Sequence, residues 1–332
     1  MTMEINNGIE TPTIIQVKIP LPFPLRWVNS YIIRGQAGLT VIDPGLHTEE
    51  AERVWQATLD EYGFQFSDFE QIVLTHHHPD HYGMAGWFQE RCGGIPVWIS
   101  EVGYEQVQRL WGEDQPLTAE IATLFIRHGM DKALVEDQLI PHMMKFVEWV
   151  TPAPQVSFIA LDQLFRMGDR MYKPFVTPGH AAGHICFYEE SSKEIFCGDH
   201  VLPQITPNVS YIPGVDENPL LSFLVSLEQI NQFEVNRAYP GHREPFNSFN
   251  QRVEELIMHH EDRLDKLMIL LDQPKHVYQL CVDFFGQNLS IHQMRFAMAE
   301  TLAHVIYLQE KSRIVESIHE GICYYSILES RL

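Results

Sequence analysis

"LTHHHPDHYG", residues 74–83, places four histidines and an aspartate within the six positions from His76 to His81. The run follows "QIVLT" (71–75), a short apolar stretch of the kind that forms a buried strand. If the chain leaving Thr75 stays extended, alternate side chains share a face, so His76 and His78 point together and His77 points away. Pro79 cannot continue a strand ladder. The turn it forces aims Asp80 and His81, at the start of a helix, towards a second point close to the first. Two adjacent metal ions explain this spacing better than one.

Three more turns offer ligand-type side chains just after strand-like runs. They are "TPGHAAGH" (177–184) with His180 and His184, "FCGDH" (196–200) with Asp199 and His200, and "YPGHREP" (239–245) with His242. Gly/Pro-rich turns hold short side chains at a sheet edge, where ligands from different strands converge. A set made only of imidazoles and carboxylates suits zinc first, with iron or manganese as alternatives.

The order His76-x-His78-x-Asp80-His81, then His180, Asp199 and His242, resembles the metallo-β-lactamase superfamily over about residues 13–248. The resemblance implies an α/β fold, an αββα sandwich of two mixed β-sheets flanked by helices. It also implies two divalent metal ions, one held by His76, His78 and His180, the other by Asp80, His81 and His242, with Asp199 between them. Asp80 and Asp199 are then the catalytic candidates. Asp43, in "VIDPG", matches the family's early Asp-x-Gly turn and is a candidate to orient a ligand by hydrogen bonding. His184 and Tyr211 are further candidates around the metals, and His77 and His200 are expected not to be ligands.

The remaining sequence gives the site its setting. A chain of 332 residues exceeds a typical single domain and suggests one large domain with an appendage. β-branched runs at 13–20, 29–35 and 38–45 precede a helix at about 47–62. Further helices are expected at 82–94 and, as an inserted layer, over about 101–150. Strands return between 155 and 196 and near 236–241, separated by a helix at 219–233. The tail reads helix (249–271), helix (277–285), helix (291–309) and a hairpin around "HEG", the element order of a winged-helix module. The expected domains are therefore 1–248, catalytic, and 249–332, the C-terminal module.

Composition narrows the function. The formal charge of -21 disfavours nucleic acid, and in "HVYQLCVDFFGQNLSIHQMRFAMAE" (276–300) Arg295 is the only Lys or Arg. No apolar run approaches the roughly 18–20 residues of a membrane helix. "MTMEINNGIETPT" carries neither a secretory nor a transit signal, so the cytoplasm is the default. The five scattered cysteines make neither a disulfide framework nor a thiolate metal site.

Two cations about 3.5–4 Å apart share a water and make it a hydroxide near neutral pH. The expected function is thus hydrolysis of an ester, thioester or lactone carbonyl in a small-molecule substrate. An endoribonuclease or phosphodiesterase, and an iron-dependent persulfide dioxygenase, are the rival activities of the same fold. The insertion and the loop 202–214 are expected to wall the pocket, with Trp111, Met143 and Tyr211 as candidate wall residues. The tail is expected to serve packing or a homodimer contact.

Overall fold

A computed structural model describes residues 13–112 and 116–328. The start "MTMEINNGIETP", residues 113–115 of the insertion and residues 329–332 of the tail lie outside them, and so does nearly all of the stretch on which the leader reading rests.

Two mixed sheets form the centre. The first has six strands in the order β1 (Ile14–Pro20), β2 (Trp27–Arg34), β3 (Leu39–Ile42), β4 (Phe69–Val73), β5 (Val97–Ile99) and β6 (Val156–Phe158). Its first three strands run antiparallel as hairpins, and the rest join parallel through helical crossovers. The second sheet holds β7 (Phe165–Met167), β8 (Arg170–Val176), β9 (Ile185–Glu189), β10 (Glu194–Gly198) and β11 (Arg237–Pro240), with only β10 and β11 parallel.

Alternation along the strands makes the layers, because successive side chains face opposite sides of a sheet. Tyr31, Ile33, Ile42 and Val73 of the first sheet meet Tyr172, Ile185, Phe187 and Phe196 of the second in one buried cluster. From the opposite face of the first sheet, Val28, Ile32, Val41 and Ile72 pack on Trp55 of α1 (Glu49–Tyr62). The same cluster takes in α2 (Pro79–Tyr82), α3 (Ala85–Arg91) and α4 (Glu101–Trp111). The result is the αββα sandwich.

The inserted layer is helical, comprising α4, α5 (Pro116–Arg127), α6 (Lys132–Leu134) and α7 (Ile140–Met144), the last two joined through a π-helical turn at Val135–Leu139. Helices α8 (Pro219–Ile230), α9 (Phe249–Leu270), α10 (Val277–Phe285) and α11 (Ile291–Glu310) follow, then the hairpin β12 (Ile314–His319) and β13 (Ile322–Ile327). The tail thus has the three helices and hairpin expected from sequence. It is not an appendage to a finished core: Met298 and Leu302 of α11 share one buried cluster with Phe223 of α8, Phe125 of α5 and Cys197 of β10.

Candidate metal centre

Asp43, the histidine run, His180, Asp199 and His242 all follow strands that end at one edge of the sandwich: β3, β4, β8, β10 and β11 respectively. In the motif itself, Leu74 is the last residue held by β5, donating to the Trp98 carbonyl. His78 then caps α2 with an extended backbone (ψ 148°), and Pro79 takes the first helical position, where a missing N–H costs nothing. Asp80 and His81 are thereby carried round the first turn of that helix.

Three imidazoles form the first group. His76 Nε2 lies 3.0 Å from His78 Nδ1. With His180 they offer nitrogens that all fall within 4.8 Å of one another, as do atoms of Asp80, His81 and His242 in a second group. Asp199 stands between them. Its Oδ2 is 3.6 Å from His180 Nε2 and 3.2 Å from His242 Nε2, and its Oδ1 is 3.5 Å from His81 Nε2. Asp80 Oδ2 is 3.3 Å from His242 Nε2.

The outward nitrogen of four of these rings, those of His76, His81, His180 and His242, is engaged elsewhere. His76 Nδ1 meets the Thr75 hydroxyl at 3.0 Å and His81 Nδ1 meets Asp43 at 2.8 Å. His180 Nδ1 meets the Asn208 carbonyl at 2.8 Å, and His242 Nδ1 meets the Trp27 carbonyl at 2.9 Å. This fixes ring orientation and turns Nε2 inward. Nε2 of His81, His180 and His242 and Oδ1 of Asp199 are buried with no hydrogen-bond partner. Unpaired buried polar atoms are costly and scarce, so four that converge fit a divalent cation centre.

Asp43 completes a third close group with His76 and His81. Its oxygens are already used: Oδ1 accepts from the Thr75 amide at 2.8 Å and Oδ2 from the Thr75 hydroxyl at 2.7 Å, besides facing His81. It therefore holds Thr75 and the His81 ring in place. His184 acts likewise on Asp199, accepting from its backbone amide through Nε2 at 3.2 Å while Nδ1 faces the Thr177 hydroxyl at 2.8 Å.

Two glycines make this approach feasible. A side chain at Gly241 would place Cβ 2.1 Å from Asp199 Oδ1, and one at Gly198 (φ 46°) would place it 2.5 Å from His184 Nε2.

Electrostatics divide the two groups. Burial and the neighbouring imidazoles hold His76 and His78 well below the ordinary histidine value, so both rings are neutral, the form in which an imidazole could bind a cation. Burial also presses on His242, but Asp199 and Asp80 outweigh it and raise it to about 10. For His81, burial is likewise overcome by Asp199 and Asp43. Burial opposes ionisation of Asp199, yet His242 and His81 hold it well below the usual carboxylate range.

The cluster opens into a cavity of about 480 Å³. The insertion supplies Leu110, Trp111, Leu117, Phe125 and Phe146, and the loop after Leu202 supplies Ile205 and Ile212. Met143 is buried in the helical core instead. Tyr211 also packs on that core and hydrogen-bonds Ala299 through its backbone, while its neighbours Ser210 and Ile212 line the cavity. His77, expected to face away, borders the cavity and is only 6% exposed. His200 is buried against Phe223, 3.4 Å from the Ser226 hydroxyl.

Sequence reasoning missed one wall altogether. Phe285, Leu289, His292, Arg295, Phe296 and Glu300 come from the tail, so packing is not its whole role. Glu300 accepts from Asn208 Nδ2 at 2.8 Å, which links α11 to the carbonyl that holds His180. The signal available was Arg295 as a lone cation, which composition alone turned into an argument about charge.

Comparison with known proteins identifies the family and the fold. Residues 25–242 match the family model described as "Metallo-beta-lactamase superfamily", and residues 264–326 match "Metallo-beta-lactamase-like, C-terminal domain". A "Probable metallo-hydrolase YqjP" from Bacillus subtilis is 26% identical over 328 residues, 96% of this chain and 99% of that one. An "Atrochrysone carboxyl ACP thioesterase" from Aspergillus fumigatus is 24% identical, over 76% of this chain and 62% of its own length. The crystal structure of a metallo-beta-lactamase family protein from Thermus thermophilus superposes with a TM-score of 0.85 at 33% identity, covering 96% of this chain and 99% of that one.

Proposed function

The chain belongs to the metallo-β-lactamase superfamily as a metallo-hydrolase, and from that premise we propose that it is a two-metal enzyme, zinc-loaded, that hydrolyses an ester, thioester or lactone. The observation that carries this is the convergence of unpaired inward atoms on His81, His180, His242 and Asp199 at the foot of a largely apolar cavity. His76, His78 and His180 would hold one ion, Asp80, His81 and His242 the other, and Asp199 would serve both. When bound, the ions supply a water of lowered pKa and Lewis acidity towards a carbonyl oxygen.

The protein's own part is to orient and to exclude water. Asp43 and His184 fix the ligand run and Asp199, and the aromatic and aliphatic walls dehydrate an apolar substrate. Asp80 and Asp199 both border the cavity, so their carboxylates pass a proton between an attacking water and the departing alcohol or thiol. Apolar walls favour a carbonyl compound over a polyanion, and the thioesterase named among the relatives points the same way.

The test is metal analysis plus a substrate panel of thioesters, aryl esters, lactones, β-lactams, phosphodiesters and single-stranded RNA. Two zinc per chain, with carbonyl hydrolysis lost in Asp199→Asn and His76→Ala, is the expected result. Cleavage confined to RNA, or a single iron with thiol-dependent oxygen uptake, would overturn the proposal.

A further inference from the structure

Among the described residues, Arg295 is the only lysine or arginine bordering the cavity, and it stands on α11. Its guanidinium lies 4.3 Å from the Phe296 ring centre and 5.2 Å from that of Phe146. Its Nε is buried without a hydrogen-bond partner. Burial lowers it to about 10 against the opposing pull of the Asp80 carboxylate, which leaves it charged at neutral pH. The other charged walls are accounted for: Asp80 and Asp199 belong to the ligand cluster, Asp216 accepts from the Asn218 amide, and Glu300 is met by Arg263 and Asn208. A half-buried arginine facing a cavity, with its Nε unpartnered and its nearest carboxylate, Asp80, already engaged with His242, has donors to spare for an anion.

We propose that Arg295 receives one carboxylate carried by the substrate, so that the enzyme acts on an otherwise apolar ester or thioester bearing a single negative charge. This rests on the carbonyl hydrolysis proposed above. The planar fork of donors matches a carboxylate, and the aromatic rings on its faces hold the guanidinium in place. A phosphate chain fits poorly, since polyanion binding uses several cations and this cavity has one among the described residues. The C-terminal module thereby sets specificity while the sandwich carries the reaction.

The experiment uses the full, metal-loaded chain and matched substrates. One arm takes N-acetylcysteamine thioesters of four- to eight-carbon dicarboxylic half-acids against their methyl esters. The other takes fatty acyl thioesters of 3-mercaptopropionate against its methyl ester. Wild type should favour the charged member in one arm, which places the carboxylate on the acyl or the thiol side. In Arg295→Gln the charged-to-neutral ratio of kcat/KM should fall at least about tenfold, mainly through KM, with partial recovery in Arg295→Lys. The neutral ester serves as the internal control for folding. An equal ratio in wild type and Arg295→Gln, with neutral thioesters still hydrolysed, would overturn the role of Arg295 alone. No hydrolysis of any thioester or ester would remove the carbonyl reaction as well.

Discussion

Asp43 Oδ2 stands 2.8 Å from His81 Nδ1 while the same carboxylate holds the Thr75 amide and hydroxyl, so one side chain sets both ends of the motif. Asp43 itself has φ 51°, a left-handed conformation that asparagine also tolerates. Asp43→Asn should therefore keep the turn and remove the charge opposite His81. Metal affinity should drop about 10- to 100-fold, the usual cost of losing such a partner. A metal titration of the purified variant checks this, and unchanged affinity for both ions would contradict it.

Gly241 lies so close to Asp199 that no side chain fits between them. Its φ is not among the left-handed ones, so alanine meets a steric obstacle and no backbone strain. Gly241→Ala should push Asp199 out of register, with metal content and hydrolysis lost while circular dichroism stays that of the wild type. Full metal loading in this variant would show that the loop yields without cost.

Loading the centre should release protons. His242, raised to about 10, carries a proton in the metal-free protein at pH 8, and a ligand nitrogen must give it up. Apparent metal affinity should rise about tenfold per pH unit for each proton released, up to that value. The linkage to folding has the opposite sense. A raised histidine value stabilises the metal-free fold fully below its ordinary value of about 6.5. That contribution disappears as pH climbs through about 10. Calorimetric titration of zinc in buffers of different ionisation enthalpy counts the protons; zero release would refute the assignment.

Cutting the chain after residue 248 should not give a stable catalytic domain. Leu256, Leu280, Met298 and Leu302 fill the same buried cluster as Leu220, Phe223 and Cys197. Losing even one large buried side chain costs about 2–5 kcal/mol, and this cut removes many. Fragment 1–248 should aggregate or lose near-UV dichroism. A monomeric fragment unfolding at the wild-type temperature would establish the module as independent.

The strands and helices were largely legible because their signals are local. β-Branched runs marked the strands, and the tail's helix ends coincide with capping residues, as at Ser290, which caps α11. The same local logic separated His76 from His77 by strand periodicity and set Asp80 and His81 apart through Pro79. It also kept His77 out of each close ligand-type group among the described residues, although that residue borders the cavity. It failed for Tyr211 because neighbours in an irregular loop alternate without a fixed period.

Residue types and their order were enough to specify the kind of chemistry: imidazoles and carboxylates, grouped in short turns whose spacing survives in the folded chain. Which ring nitrogen faces inward depended on the folded chain, since His242 is turned by a carbonyl 215 residues away and His180 by one 28 residues on. Folding also brought α11 against the candidate metal centre, where Arg295 borders the cavity beside the Phe146 ring of a distant helical layer. Periodicity reports which face of an element is apolar. Which other element that face meets is set by how all the buried surfaces close together.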